Sequence, residues 1–438
     1  LFPYTTSSDL ADLGPLQNLP LLELNLAGCK TVKDFAPLQR LSLLQRLCLP
    51  DEGLTPAQVQ DLQKLTSLTA IGFSSDQMQS PDRFWKNYRQ AAVSGMREAW
   101  EDKLKAALQQ LQAQNPDIRL EQERFYCRYD FLRNGISLRL DRNTGLRTIN
   151  ALAGLPIVVF SARYTGLVSV APLRKAPLRH LNVYRSNVAA IAPLMSCPLE
   201  VIDVRHTPVS DFGQLRQWPL RVFRATGAEI EDLEFLRGLK LEELALERTN
   251  IDRLSVTPLQ PMPLRKLSLA GSKVRTLSSL SALPHLEDLD VSRTPLRTLS
   301  YVDDCDKLTT LNLDGCEFNS FGALRDMRQL TWLSAARTSF DDVDYLRHMK
   351  LTWLNLGSTP TDDISALAGM PLTYLNLGDT KVDDIKALKG MKLRRLYLQG
   401  TEIEDISPLR GMPLDELRLD GCDQVDRKST RLNSSHYS

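Results

Sequence analysis

Four stretches towards the C-terminal end of the chain share one frame. LTWLNLGSTPTDDISALAGMP, LTYLNLGDTKVDDIKALKGMK, LRRLYLQGTEIEDISPLRGMP and LDELRLDGC start at Leu351, Leu372, Leu393 and Leu414, a constant step of 21 residues. Upstream, the signature L-x-x-L-x-L recurs from Leu330, Leu308, Leu286, Leu264, Leu241, Leu220, Leu199, Leu178 and Ile157 at steps of 21 to 23. A degenerate copy opens at Gly135 and supplies Leu138, Leu140 and Asn143, and a second, shorter series starts at Leu21, Leu44 and Leu68. One unit of this length cannot bury its own apolar face, so neighbours must stack, and the 438 residues build one long core instead of several globular ones.

Within a unit, alternation puts Leu354 and Leu356 on one side of a short strand and Trp353 and Asn355 on the other. Thr359, Thr380 and Thr401 follow where the chain turns. Cys29, Cys316 and Cys422 occupy the same slot, which makes them structural thiols in a chain with seven cysteines and no CxxC pair. An Asp recurs twelve residues after each start, at Asp211, Asp232, Asp342, Asp363, Asp384 and Asp405. Its carboxylate suits the opening of a short helical turn, where backbone N–H groups lack partners. The fold expected is an α/β solenoid: a horseshoe with short parallel strands on the concave face and 3₁₀ or short helical turns on the convex face.

These units resemble bacterial leucine-rich repeats of the internalin-like type. PLTYLNLGDTKVDDIKALKGM is also similar to repeats of large bacterial signalling proteins that carry a protein-kinase domain. The resemblance covers most of the chain up to Cys422. It implies a non-catalytic scaffold whose inner sheet holds a protein partner; a second reading is the sensor or scaffold region of a bacterial serine/threonine protein kinase, and a third is a glycan-binding module.

Four segments are expected. Residues 1–79 form a short N-terminal repeat segment, 80–134 a helical insert with a hairpin strand acting as a cap, 135–425 the main array, and 426–438 a tail. Ser80-Pro81 reads as a helix start, with Ser80 as the cap. Phe84, Tyr88, Ala92, Met96, Trp100, Leu104, Leu108 and Leu111 then mark one amphipathic helix, or two with Gly95 as the point of division, ending before Asn115-Pro116. The insert resembles the spacer that precedes repeat arrays in the same bacterial proteins. RFYCRYDF and ISLRLDR flank Arg133-Asn134-Gly135, a hairpin signal. The tail, DRKSTRLNSSH from Asp426 to His436, resembles the translated read-through of a sequencing adapter and is set aside. The chain starts at Leu1 with no leader, which reads as a gene fragment and leaves its compartment open.

No catalytic apparatus is expected. Asp211-Phe212-Gly213 spells a kinase triplet, but it occupies the recurring Asp and apolar slots with no accompanying catalytic loop. His180, His206, His285 and His348 lie in different units without ligand spacing, so neither a metal nor a cofactor is called for. A charge of +1, from 54 basic and 53 acidic residues, gives no basic track for nucleic acid, and no apolar run is long enough to span a membrane.

The positions between the leucines are the candidate site. Trp332, Trp353 and Tyr374 share one outward slot in successive units and are expected to form an exposed aromatic ladder beside Thr331, Thr352 and Thr373 and beside Ser334, Asn355 and Asn376. Arg394, Arg395 and Tyr397 continue the face. A second, basic patch is expected from Arg179, Arg205, Arg221 and Arg224, with Arg142, Arg163 and Arg185 near the strand ends, giving way to Glu242, Glu243 and Glu247. Aromatic anchors of this kind are typical of protein interfaces, and removing Trp353 and Tyr374 is expected to weaken partner capture with little change in melting.

Overall fold

The computed structural model describes residues 12–17, 19–27, 29, 32–50, 54–73, 78–120, 125–130, 135–252, 256–259, 262–278, 280–302 and 305–422. The expected tail, 426–438, and the hairpin turn at Arg133-Asn134 lie outside them. The chain forms two compact units, Leu1–Ser161 with Lys175–Leu178, and Ala162–Arg174 with Arg179–Ser438. The division falls inside the long array.

The first unit holds a three-stranded parallel sheet, β1 (Glu23–Asn25), β2 (Arg46–Cys48) and β3 (Ala70–Gly72). Leu47 and Ile71 are fully buried, and with Leu26, Phe35 and Leu62 they form a core that Phe84 and Trp85 close. Those two rings belong to α2 (Pro81–Gln114), which follows the shorter α1 (Pro56–Gln63). α2 is one continuous helix of 34 residues, about 50 Å long at 1.5 Å per residue, and passes through Gly95 without a break. A single interior glycine costs only about 1 kcal/mol, too little to divide a helix anchored at both ends. Near its start the Tyr88 hydroxyl accepts the Leu54 N–H at 2.8 Å. Just past its end, buried Asn115 donates to the carbonyls of Leu111 and Thr148, each at 2.9 Å, and accepts the N–H groups of Arg147 and Thr148. Ser80 stands at the helix start, but its side chain makes no capping bond. β4 (Tyr126–Asp130) then pairs antiparallel with β5 (Gly135–Arg139), and β5 pairs parallel with β6 (Ile157–Ser161). The degenerate repeat at Gly135 is a true rung: Leu138 and Leu140 are fully buried, and Asn143 donates to the Leu140 carbonyl at 3.2 Å.

The second unit is a leucine-rich-repeat solenoid. Among its described residues it carries twelve three-residue strands, from His180–Asn182 to Glu416–Arg418, each parallel to the next and in unbroken register. The central residue of each strand before the last is buried, and Leu333, Leu354, Leu375 and Leu396 stack in a column with no exposed surface. The turn slot behaves as its chemistry requires. Thr359, Thr380 and Thr401 each donate to a carbonyl three residues back at 2.6 Å, whereas the Cys316 and Cys422 thiols reach back a full rung, to Val291 and Leu398. Opposite the sheet, most rungs carry a short 3₁₀ turn such as Ser365–Leu367 or Lys386–Leu388. The recurring Asp opens it: Asp232, Asp342, Asp363, Asp384 and Asp405 each accept the N–H two residues on, at 2.7 to 2.9 Å. Asp211 does the same for Gly213 while Phe212 is buried, so this triplet is turn and core.

One residue per rung sits in the left-handed region just after the strand, and many are not glycine. Ser358 and Asp379, with φ of 59° and 57°, align with Gly400 at 66°. The stacking geometry imposes that conformation whatever residue the rung supplies, at a cost of about 1 kcal/mol where a side chain is present.

The solvent face of the sheet, a candidate binding surface

Because the middle strand residue packs into the core, its two neighbours and the residue before the strand lie on the opposite side of the sheet, where some third positions, such as Asp203 and Ser334, are nonetheless covered by adjacent side chains. Three columns therefore run along the second unit. The outermost reads Arg179, Glu200, Arg221, Glu242, Arg265, Glu287, then Thr309, Thr331, Thr352, Thr373, then Arg394, Asp415. Opposite charges one rung apart meet. Arg221 grips Glu242 with two bonds of 2.8 and 2.7 Å, and Arg265 grips Glu287 at 3.0 and 2.8 Å. Arg394 lies 3.1 Å from Asp415, and Arg179 pairs with Glu200.

The four central arginines of the expected basic patch all have acidic partners. Besides Arg179 and Arg221, Arg224 makes a bidentate pair with Glu243, and Arg205 clasps Asp203 at 2.9 and 2.7 Å. The Asp203 side chain is only 1% exposed, with Arg224 also 4.0 Å away, so two guanidinium groups compensate one nearly buried carboxylate. Bidentate bonding to Asp203 holds the Arg205 guanidinium even more firmly protonated than usual. Charges that look segregated along the sequence are neutralised between rungs. Three of these partners, Glu200, Glu242 and Glu243, sit about one repeat length from their arginines, and that spacing was the available signal. Near the same edge the Arg185 guanidinium lies 5.6 Å from the ring centres of both Tyr164 and Tyr184.

Four rungs interrupt this charge ladder. Their twelve solvent-side positions, Thr309, Thr310, Asn312 and their equivalents through Thr373, Tyr374 and Asn376, contain no ionisable acid or base other than one phenol. Trp332, Trp353 and Tyr374 stand in register here, as expected. They are half-buried, not openly exposed, because they stack on one another: Trp332 on Trp353 at 4.1 Å and 11°, Trp353 on Tyr374 at 4.4 Å and 10°. Ring separations this short cover the inner faces and leave ring edges towards solvent. Burial raises the Tyr374 phenol above its ordinary value. Tyr397 continues the row at a tilt of 50°, displaced into the next column, and its hydroxyl is 2.7 Å from Glu416.

The two flanking columns serve the backbone. Thr331, Thr352 and Thr373 each donate to a carbonyl of the preceding rung at 3.0 to 3.3 Å. Asn355 and Asn376 use their carbonyl oxygens to accept the N–H groups of Gly357 and Gly378, and Asn355 donates to Ser334. The asparagines expected as adaptable contacts are thus largely committed to the turn. The rings are different. No hydrogen bond within the chain engages the indole N–H of Trp332 or Trp353 or the Tyr374 hydroxyl among the described residues, and Arg395, next in their column, is exposed with no ion pair there. Among those residues, no group of three or more His, Cys, Asp or Glu could hold a metal, and no helix is long and apolar enough to cross a membrane.

No family model matches the chain, and no curated protein matches it. Solved structures do match. An internalin (inlF) from Listeria monocytogenes is 20% identical, with a TM-score of 0.53, covering 64% of this chain and 86% of that one. A leucine-rich repeat protein of Leptospira interrogans is 16% identical, with a TM-score of 0.51, covering 97% of each chain. The likeness is one of fold: repeats like those of internalin, stacked into the same kind of solenoid.

Proposed function

We propose that this leucine-rich-repeat solenoid is a non-catalytic scaffold that binds a protein partner on the solvent face of its sheet, across the rungs from Thr309 to Asn376. The observation that carries this reading is the charge-free window filled by the Trp332, Trp353 and Tyr374 stack. Elsewhere on the face, ion pairs within and between rungs engage most of the charges, Arg395 being an exception. Here large aromatic surface is left in place with its polar handles unused, the composition of an interface centre. A glycan is a poorer fit, because sugars pack on ring faces and the inner faces are covered by neighbouring rings. Residues 80–134 we read as a cap, supported by Phe84 and Trp85 closing one apolar end and Asn115 binding the backbone of the next repeat.

A displayed library of random 12-residue peptides, selected on the immobilised chain, tests this. Selected peptides are expected to lose binding to the Trp353→Ala/Tyr374→Ala variant and to keep it on Lys389→Ala, which alters an exposed residue after a 3₁₀ turn. Peptides indifferent to the aromatic change, or no enrichment at all, would contradict the proposal.

A further inference from the structure

The window has a polarity of its own. Along the ring column the available groups are two indole N–H donors, one phenol and then the Arg395 guanidinium, none with an acceptor inside the chain among the described residues. The carboxylates near this column are occupied. At the leading edge, Glu287 and Asp288 pair with Arg265 and Lys266, and Asp290 accepts the Ser292 N–H at 2.9 Å. At the trailing edge, Glu416 takes the Tyr397 hydroxyl and the Arg418 guanidinium, and Asp415 pairs with Arg394. The strip therefore offers donors and one guanidinium, Arg395, that makes no ion pair among the described residues, and the carboxylate that follows it in the column, Glu416, is already shared by Tyr397 and Arg418.

We infer that the occupant of this strip is a segment of a protein partner rich in hydrogen-bond acceptors, crossing the rungs from Trp332 to Tyr374 and placing an acidic side chain on Arg395. The physical reason is complementarity. Covering an indole N–H without supplying an acceptor leaves a desolvated donor, so the segment must bring oxygen atoms to the ring edges, and backbone carbonyls or carboxylates do this. The electropositive ring edges favour the same atoms. Covering Arg395 without an anion would cost more still, whereas a carboxylate can meet its planar fork with two parallel bonds. A basic segment would face the guanidinium with like charge and find no free carboxylate in the strip. The ring column thus fixes where the segment lies, and Arg395 fixes which end carries the acid.

This inference rests on the proposed binding face and adds the partner's chemistry, and the two separate in one experiment. The random 12-residue library is selected in parallel on the unaltered chain, on Arg395→Gln, on Arg395→Glu and on Trp353→Ala/Tyr374→Ala. Peptides won on the unaltered chain are expected to be enriched in Asp or Glu near one end. Changing that acid to the amide should weaken binding about tenfold to a hundredfold, the worth of one charge-assisted hydrogen bond. Arg395→Gln should erase the acidic preference, and Arg395→Glu should replace it with Lys or Arg. Peptides that depend on Trp353 and Tyr374 yet show no acidic preference, or the same preference on both Arg395 variants, overturn the inference and leave the binding face standing. Peptides that ignore the aromatic substitutions overturn both. Unchanged circular dichroism and melting of the Arg395 variants exclude loss of fold as the cause, since Arg395 makes no internal ion pair among the described residues.

Discussion

Replacing Trp353 by alanine tests whether the three rings act as one stack. Trp353 is the middle ring, with Trp332 at 4.1 Å on one face and Tyr374 at 4.4 Å on the other, both nearly parallel to it. A well-placed aromatic pair contributes about 0.5–1.5 kcal/mol beyond the area it buries, so losing both contacts should cost about 1–3 kcal/mol. That amends the sequence-level expectation of an almost unchanged melt. The decisive quantity is a pair of double-mutant cycles measured by urea unfolding and followed by circular dichroism, which does not depend on the tryptophans removed. Trp332→Ala with Trp353→Ala should show a coupling of about 0.5–1.5 kcal/mol. Trp332→Ala with Tyr374→Ala, two rungs apart and separated by the middle ring, should be additive to within about 0.5 kcal/mol. Equal couplings in the two cycles would refute the stacking argument.

Four further outcomes follow from the same structure. Leu354→Ala, which empties a fully buried site between Leu333 and Leu375, should lower unfolding stability by about 2–5 kcal/mol with no change in the residues facing solvent. Burial raises the Asp290 carboxyl, with Glu247 adding to the effect and bonds from Ser292 and Asn312 opposing it. A folded pKa above the unfolded one means stability present at low pH and lost as pH rises through the folded value, so Asp290→Asn should be more stable than the parent at pH 7 and match it near pH 3; a parent that is the more stable at neutral pH would count against this. Asp203→Ala should destabilise the chain more than Glu242→Ala, because it removes a nearly buried carboxylate that faces two guanidinium groups, Arg205 and Arg224, only 34% and 27% exposed, whereas Arg221 is well exposed; equal midpoints in urea would contradict that. The Cys127 thiol, pushed up to about 11 by burial, should alkylate with iodoacetamide far more slowly at pH 8 in the folded chain than in urea.

How much of this was legible in the residues depends on what distances each feature needs. Strand register and the inward leucine column follow from the 21-residue step alone, because parallel stacking of equal units leaves one way to align Leu333, Leu354 and Leu375. The recurrence of Asp363, Asp384 and Asp405 was equally readable, since the bond each makes spans two residues. Side-chain geometry between rungs was not. Whether Trp332 and Trp353 splay or stack depends on rotamers, and whether Arg221 is a free cation depends on Glu242 lying on the adjacent rung. Asn355 shows the same limit, looking like a surface contact in the pattern while its carbonyl holds the Gly357 N–H. Of the two readings the sequence allowed around Gly95, the single helix holds, because packing at both ends of α2 outweighs one weak helix former.

Hydroxyl-radical footprinting with a selected peptide bound addresses the binding face most directly. Trp332, Trp353 and Tyr374 should lose reactivity together on binding, while Tyr301, 45% exposed and outside the window, keeps its own. Protection at Tyr301 or Tyr164 with the three stacked rings unchanged would place the binding surface elsewhere.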